Sequence, residues 1–205
     1  MKKNYEMDMC SGPILGKLLT FTIPLIFSGI LQLLFNAADV IVVGRFAGSQ
    51  SLAAVGSTTA LINLMINIFI GLSVGVNVIV ARYYGAKREK DVQDTIHTAM
   101  ALSIVSGLFL IIVGQLLSRP MLELMGTPDD VIDKSTIYMR IIFIGMPANM
   151  IYNFGSAILR AVGDTKRPLY FLTAAGVINV VLNLFFVIMF QMDVAGVALA
   201  TAISQ

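Results

Sequence analysis

The sequence predicts an all-α integral membrane protein, a six-helix transmembrane bundle whose sixth helix is truncated at Gln205. Three observations carry that expectation. Hydrophobic residues make up 57% of the chain and charged residues only 13%, with mean hydropathy +0.85, whereas a soluble domain carries about 25% charged residues. Apolar stretches long enough to cross about 30 Å of hydrocarbon alternate with polar connectors. Lys and Arg gather on alternate connectors, as they do in the cytoplasmic loops of membrane proteins.

Residues 1–17 hold no apolar core followed by a small-residue cleavage site, so no removable signal peptide is expected and the segment reads as a cytoplasmic N-terminus. The transmembrane bundle then occupies 18–205, with spans at about 18–43, 52–81, 96–117, 136–158 and 169–190 and a partial one at 196–205. The connectors "GRFAGSQ", "RYYGAKREKDVQD", "SRPMLELMGTPDDVIDKS", "RAVGDTKRP" and "QMDV" are mostly short, which makes neighbouring helices antiparallel. Pro24 in the first span and Pro147 in the fourth each remove a backbone hydrogen bond and permit a kink. Gly71 and Gly75 give the second span a small-residue face suited to close helix approach. A short interfacial helix is expected around "PMLELMG" in the third connector, whose acids Glu123, Asp129, Asp130 and Asp133 read as a solvated loop face without metal-ligand spacing. One side of the membrane collects Lys2, Lys3, Lys17, Arg82, Lys87, Arg88, Lys90, Arg160, Lys166 and Arg167, and the other only Arg45, Arg119, Lys134 and Arg140, so the first side is assigned to the cytoplasm. A chain that stops in "ATAISQ", inside a helix, reads as a fragment of a longer protein.

Several functions have no residues to support them. One cysteine, Cys10, and one histidine, His97, cannot build a disulfide framework or a Cys/His zinc site within the chain. No phosphate-binding loop and no hydrolytic constellation is present, so the protein does not read as an enzyme, and transport would draw on an ion gradient or a partner. No cofactor is expected, and nothing supports nucleic-acid binding.

What does call for explanation is polarity inside the spans. An aspartate near the centre of a spanning helix costs about 2.5–3.5 kcal/mol on insertion scales and is kept where it faces protein or water. On the first helix Ser28, Gln32, Asn36 and Asp39 share one narrow sector, and on the second Thr59, Asn63, Asn67 and Asn77 do the same. The fourth offers Asn149, Asn153 and Ser156, and the fifth Asn179 and Asn183. Any one stripe reads as interhelical glue. Four stripes together, one of them carrying a carboxylate, point to a water-accessible cavity, because glue requires no charge.

The run "P…Q…N..D…VG…G…LAAVG" from Pro24 to Gly56, with "ILRAVGDTKRP" at 158–168 and "GVALATAISQ" at 196–205, resembles the multidrug and toxic compound extrusion (MATE) transporters, most closely their bacterial branch. The resemblance covers essentially the whole chain as an amino-terminal half. It implies a twelve-helix, two-lobe secondary antiporter of the cell (plasma) membrane that exports organic cations in exchange for H+ or Na+, with a C-terminal six-helix lobe as the missing partner. By the same resemblance Asp39, fifteen residues after the hinge proline Pro24, belongs to a cation or proton site together with Asn153, Asn179 and Thr201. Gln32, Asn36, Asn63 and Asn67 would line the cavity. Asn183 departs from the aspartate of many relatives, which leaves Asp39 the sole intramembrane carboxylate of the lobe; a proton switch is then favoured over a two-carboxylate sodium site, although Na+ at Asp39 stays open. Two alternatives remain: a lipid-linked oligosaccharide flippase of the same superfamily, and a half-sized channel subunit that oligomerises around a ring of Asp39 carboxylates.

Overall fold

The computed structural model describes residues 14–205, which are helical almost throughout and contain no strand; Cys10 and most of the expected N-terminal segment lie outside the described residues. Helix α1 (Ile14–Val42) passes through a π-helical turn (Val43–Ala47) into α2 (Gly48–Gly85). There follow α3 (Glu89–Leu124), α4 (Asp129–Ile144), α5 (Met146–Ala161) and α6 (Lys166–Leu184), then a second π turn (Phe185–Met189) and α7 (Val194–Ser204). The stretches Ile14–Gly85, Glu89–Leu124 and Lys166–Met189 are long and apolar enough to cross a membrane, as is the bent pair α4–α5 taken as one span.

The helices depart from the expected spans in three places. The connector "GRFAGSQ" is not a loop: its first residues form the π turn, and α2 starts at Gly48, whose φ of 84° suits a residue without Cβ. Helical pairing persists there because Val42, Val43, Ala54 and Val55 are buried together with Val131, Val187, Val194 and Val197. The expected interfacial helix around "PMLELMG" is instead the end of α3, which runs through Pro120 to Leu124. Buried Ser118 and Leu122 anchor that last turn, Arg119 pairs with Glu123 at 3.1 Å, and Gly126 ends the segment at φ 69°. The acids expected on a loop are accordingly on helices. Asp129 and Asp130 occupy the first turn of α4, where the helix dipole favours them, and Asp133 meets Arg119 at 3.0 Å.

The fourth span bends as its proline suggests, by 49° between α4 and α5. Pro147 has no N–H for the carbonyl of Phe143. Gly145 occupies the bend, and a Cβ there would lie 3.0 Å from Cα of Ala202 on α7.

In lipid, helix association rests on close packing rather than on exclusion from water. Helix α3 packs on α4 and α5, α2 packs on all three, and α7 joins α4 to α6. Helix α1 lies along α6. The core is made by Leu110, Met139, Phe143, Met146, Met150 and Phe154. Glycines set the approach distances. A Cβ on Gly107 would stand 2.4 Å from Cα of Pro147, one on Gly114 2.2 Å from Cγ of Phe143, and one on Gly176 1.9 Å from the ring of Phe35. Gly71 and Gly75, singled out from the sequence, have nothing within 4 Å. Their face of α2 is not packed by the described residues.

The connector between α5 and α6 is tight and buried, with the side chain of Asp164 only 1% exposed. Its Oδ1 accepts the backbone N–H groups of Lys166 and Arg167, both at 3.1 Å, and its Oδ2 faces Nε of Arg167 at 3.0 Å. Two donors of the first turn of α6 are thereby satisfied. Asp164→Ala is expected to destabilise the fold by about 1–2 kcal/mol, read as a lower melting temperature of the full-length protein in detergent. Asp164→Asn keeps an acceptor and should lose less.

Candidate functional site

The helix arrangement opens a cavity of about 490 Å³ between α1, α2, α4, α5 and α7. Helix α1 contributes Gln32, Asn36 and Asp39, and α2 contributes Thr59, Asn63 and Asn67. The two stripes line the same space. Asn149 and Asn153 line it from α5, Thr201 from α7, and Gln205 from just past the end of α7. Gln32, Asn36, Thr59, Asn63 and Asn67 are exposed, so the cavity is open along the α1–α2 side. Among the described residues, Asp39 is the one charged side chain in its wall.

Some members of the polar stripes serve packing instead. Asn77 donates to the carbonyl of Ala157 at 2.7 Å and ties α2 to α5. Ser28 is buried and donates to the carbonyl of Pro24 at 2.8 Å, and Ser156 is buried as well. These residues share a helical sector with the cavity residues but sit where a neighbouring helix covers it.

Behind the cavity, α6 meets α1 and α7 in a chain of amides. Asn183, fully buried, donates through Nδ2 to Oδ1 of Asp39 and to Oδ1 of Asn179 at 3.2 Å. Asn179 in turn donates to the hydroxyl of Thr201 at 3.1 Å, which donates to the carbonyl of Val197 at 3.0 Å. Asp39, Asn183, Asn179 and Thr201 are thus joined from three helices. Asn153 is not part of that chain: its Nδ2 is held by Asn149, at 2.8 Å from Oδ1 and 2.9 Å from the carbonyl oxygen, and it borders the cavity apart from Asp39. Oδ1 of Asn183 is buried and takes no hydrogen bond among the described residues. A buried acceptor left unpaired costs about 1–3 kcal/mol, so this oxygen stands as an open acceptor in the same amide whose Nδ2 holds Asp39.

Tyr138 of α4 also lines the cavity, and the sequence reading missed it. A signal was available: Tyr138, Ile142, Met146, Asn149 and Asn153 follow one another at helical spacing, so the amide stripe of α5 extends back onto α4.

Helices long and apolar enough to cross a membrane, set around an open polar cavity with one carboxylate in its wall and a relay of amides behind it, define an integral membrane protein with a polar site inside its bundle. The chain belongs to the MatE family of multidrug and toxic compound extrusion transporters, whose family model matches residues 24–185. It is 35% identical over 188 residues to the "Probable multidrug resistance protein YoeA" of Bacillus subtilis (strain 168), covering 90% of this chain and 41% of that protein. It is 27% identical to a protein named "FAD transporter" from Shewanella oneidensis, covering 96% of this chain and 44% of the other. Solved structures of a MATE transporter in bent and straight conformations superpose with TM-score 0.85 at 28% identity, covering 92% of this chain and 42% of theirs. The chain therefore spans about two fifths of the length of the relatives it matches.

Proposed function

We propose that the full-length protein is a secondary antiporter of the cell membrane that exports organic cations in exchange for H+ or Na+, with this chain as its amino-terminal lobe. One observation carries the reading: the cavity has amides and a tyrosine in its wall, Asp39 as its one charge, and no Lys or Arg. Such a wall compensates a positive cargo. Asp39 with Asn183, Asn179 and Thr201 holds the coupling ion, a proton or sodium. Gln32, Asn36, Asn63, Asn67 and Asn153 meet the substrate. Amides exposed at mid-membrane depth on α1 and α2 are costly against lipid, and a second six-helix lobe covers them. The end carrying Arg82, Lys87, Arg88, Arg160 and Lys166 faces the cytoplasm, in keeping with the positive-inside bias.

Pro24 is the hinge of the cycle. It is buried within α1, the helix that carries Asp39 and lies along α6, and the existence of bent and straight MATE structures supports two states. Pro24→Ala is expected to slow efflux several-fold without changing its substrate range, measured as initial dye-efflux rates at matched expression.

The FAD transporter among the relatives favours a second reading, an organic anion as cargo. An anion in this cavity would face Asp39 with no basic group to offset it, and the same argument disfavours a phosphate-bearing lipid-linked sugar. The deciding experiment expresses the full-length protein in cells lacking their own efflux pumps and measures export of ethidium and of FAD under imposed proton or sodium gradients. Gradient-dependent ethidium export without FAD export is expected; the reverse would overturn the cationic assignment.

A further inference from the structure

A second cavity, of about 430 Å³, lies at the far end of the α1–α6 pair and is lined by Phe46, Val187, Ile188, Gln191 and Asp193. It shares no wall residue with the cavity at Asp39. Phe46 comes seven residues after Asp39, about two helical turns or 10 Å further along. Under the orientation proposed above, this is the outward end. The pocket forms where the two π turns, one joining α1 to α2 and one ending α6, pack against each other. Gln191 is held at φ 51°, a left-handed conformation that a residue with a Cβ adopts at a cost and that concentrates at ligand-binding positions.

Asp193 supplies the charge. Its side chain is half exposed, and Oδ2 accepts from Nζ of Lys134 at 3.0 Å, while Oδ1 takes no hydrogen bond among the described residues. Lys134 has a second partner, Oγ of Ser51 at 3.4 Å, to which its ammonium can retreat. An aromatic ring, a neutral amide and a carboxylate shared with a displaceable lysine make a receptor for an organic ammonium: aromatic rings attract cations, the valine and isoleucine walls take the apolar body, and the carboxylate takes the charge.

The geometry points to this pocket as an outer binding site for organic ammonium ions, in which the ligand replaces Lys134 on Asp193. The site rests on the cation-export reading and deepens it: cargo released from the Asp39 cavity has a second station on the same helix pair.

Lys134 competes with the ligand, so the two ends of the ion pair must act in opposite directions. The test uses purified full-length protein carrying Asp39→Asn, which weakens the inner site, and follows ethidium binding by fluorescence anisotropy. Residual saturable binding is expected. In that background Asp193→Asn should weaken it at least fivefold, Phe46→Leu about threefold, and Lys134→Gln should tighten it about threefold. A merely structural ion pair between α4 and the α6–α7 connector would make Lys134→Gln and Asp193→Asn weaken binding alike, and that result, or no residual binding at all, would overturn the proposal. The two readings fail separately: unchanged ethidium binding and efflux in Asp39→Asn alone would sink the role of the inner cavity, whereas the opposed effects of Lys134→Gln and Asp193→Asn report only on the outer site.

Discussion

Asp39→Asn will reduce gradient-driven efflux by the full-length protein at least tenfold while leaving its abundance in the membrane unchanged or raised. The substitution is nearly isosteric and removes a charge whose insertion costs about 2.5–3.5 kcal/mol. It also leaves the local packing satisfiable. Asn183 now donates to the Asp39 carboxylate and to Oδ1 of Asn179; the oxygen of the new amide on α1 can accept the same donation with Asn183 unmoved. Under the antiport proposed above, what is lost is the carboxylate of the cavity wall, the group through which an ion gradient would bias one conformation over another. Membrane-fraction immunoblots and dye-efflux rates in the same cells give both halves of the result. Equal efflux by wild type and variant under each imposed gradient would reduce Asp39 to a packing residue.

Gly107→Ala is expected to produce a large loss of stability. The added carbon would fall 2.4 Å from Cα and 3.0 Å from N of Pro147, and backbone cannot step aside as the tip of a side chain can. Either α3 separates from α5 or the α4–α5 bend shifts; overpacking of this kind costs about 1–3 kcal/mol and occasionally more. Gly155→Ala is the control, since its Cβ meets nothing within 4 Å and alanine is the better helix former by up to about 1 kcal/mol. Thermal unfolding in detergent should show Gly107→Ala melting well below wild type and Gly155→Ala at or above it. Coincident melts for the two variants would mean that α3 and α5 do not approach as closely as Gly107 and Pro147 indicate.

Much of the architecture was readable because the signals are local and repeat. An apolar length of about 20 residues marks a span, and side chains three or four apart share a face, so the stripes of Gln32, Asn36 and Asp39 and of Asn63 and Asn67 appear in the sequence before any helix is placed. The kink of the fourth span falls where Pro147 permits one, whereas α1 runs unbroken through Pro24. The errors lie where a local signal was overruled by contact with a distant element. "GRFAGSQ" has the residues of a loop yet stays helical because Val42 and Val43 are buried. "PMLELMG" has the proline of a helix start yet continues α3 because Leu122 is fully buried; proline at that position lacks only one donor, and the turn survives its loss.

By itself the sequence determined which residues are available to the membrane interior: the apolar stretches, the polar faces within them, and the carboxylate of Asp39. Periodicity depends on one helix at a time, so it is written in the order of residues. Which of those faces meet was decided only in three dimensions. Asn183 reaches Asp39 across 144 positions of sequence, Asn77 was turned to the carbonyl of Ala157 and away from the cavity, and Gly107 and Gly114 rather than Gly71 and Gly75 became the points of close approach. The physical reason is common to all three: rotating a helix about its axis leaves its own hydrogen bonds unchanged, so its phase is set by the neighbours it packs against, and those are chosen by the bundle as a whole.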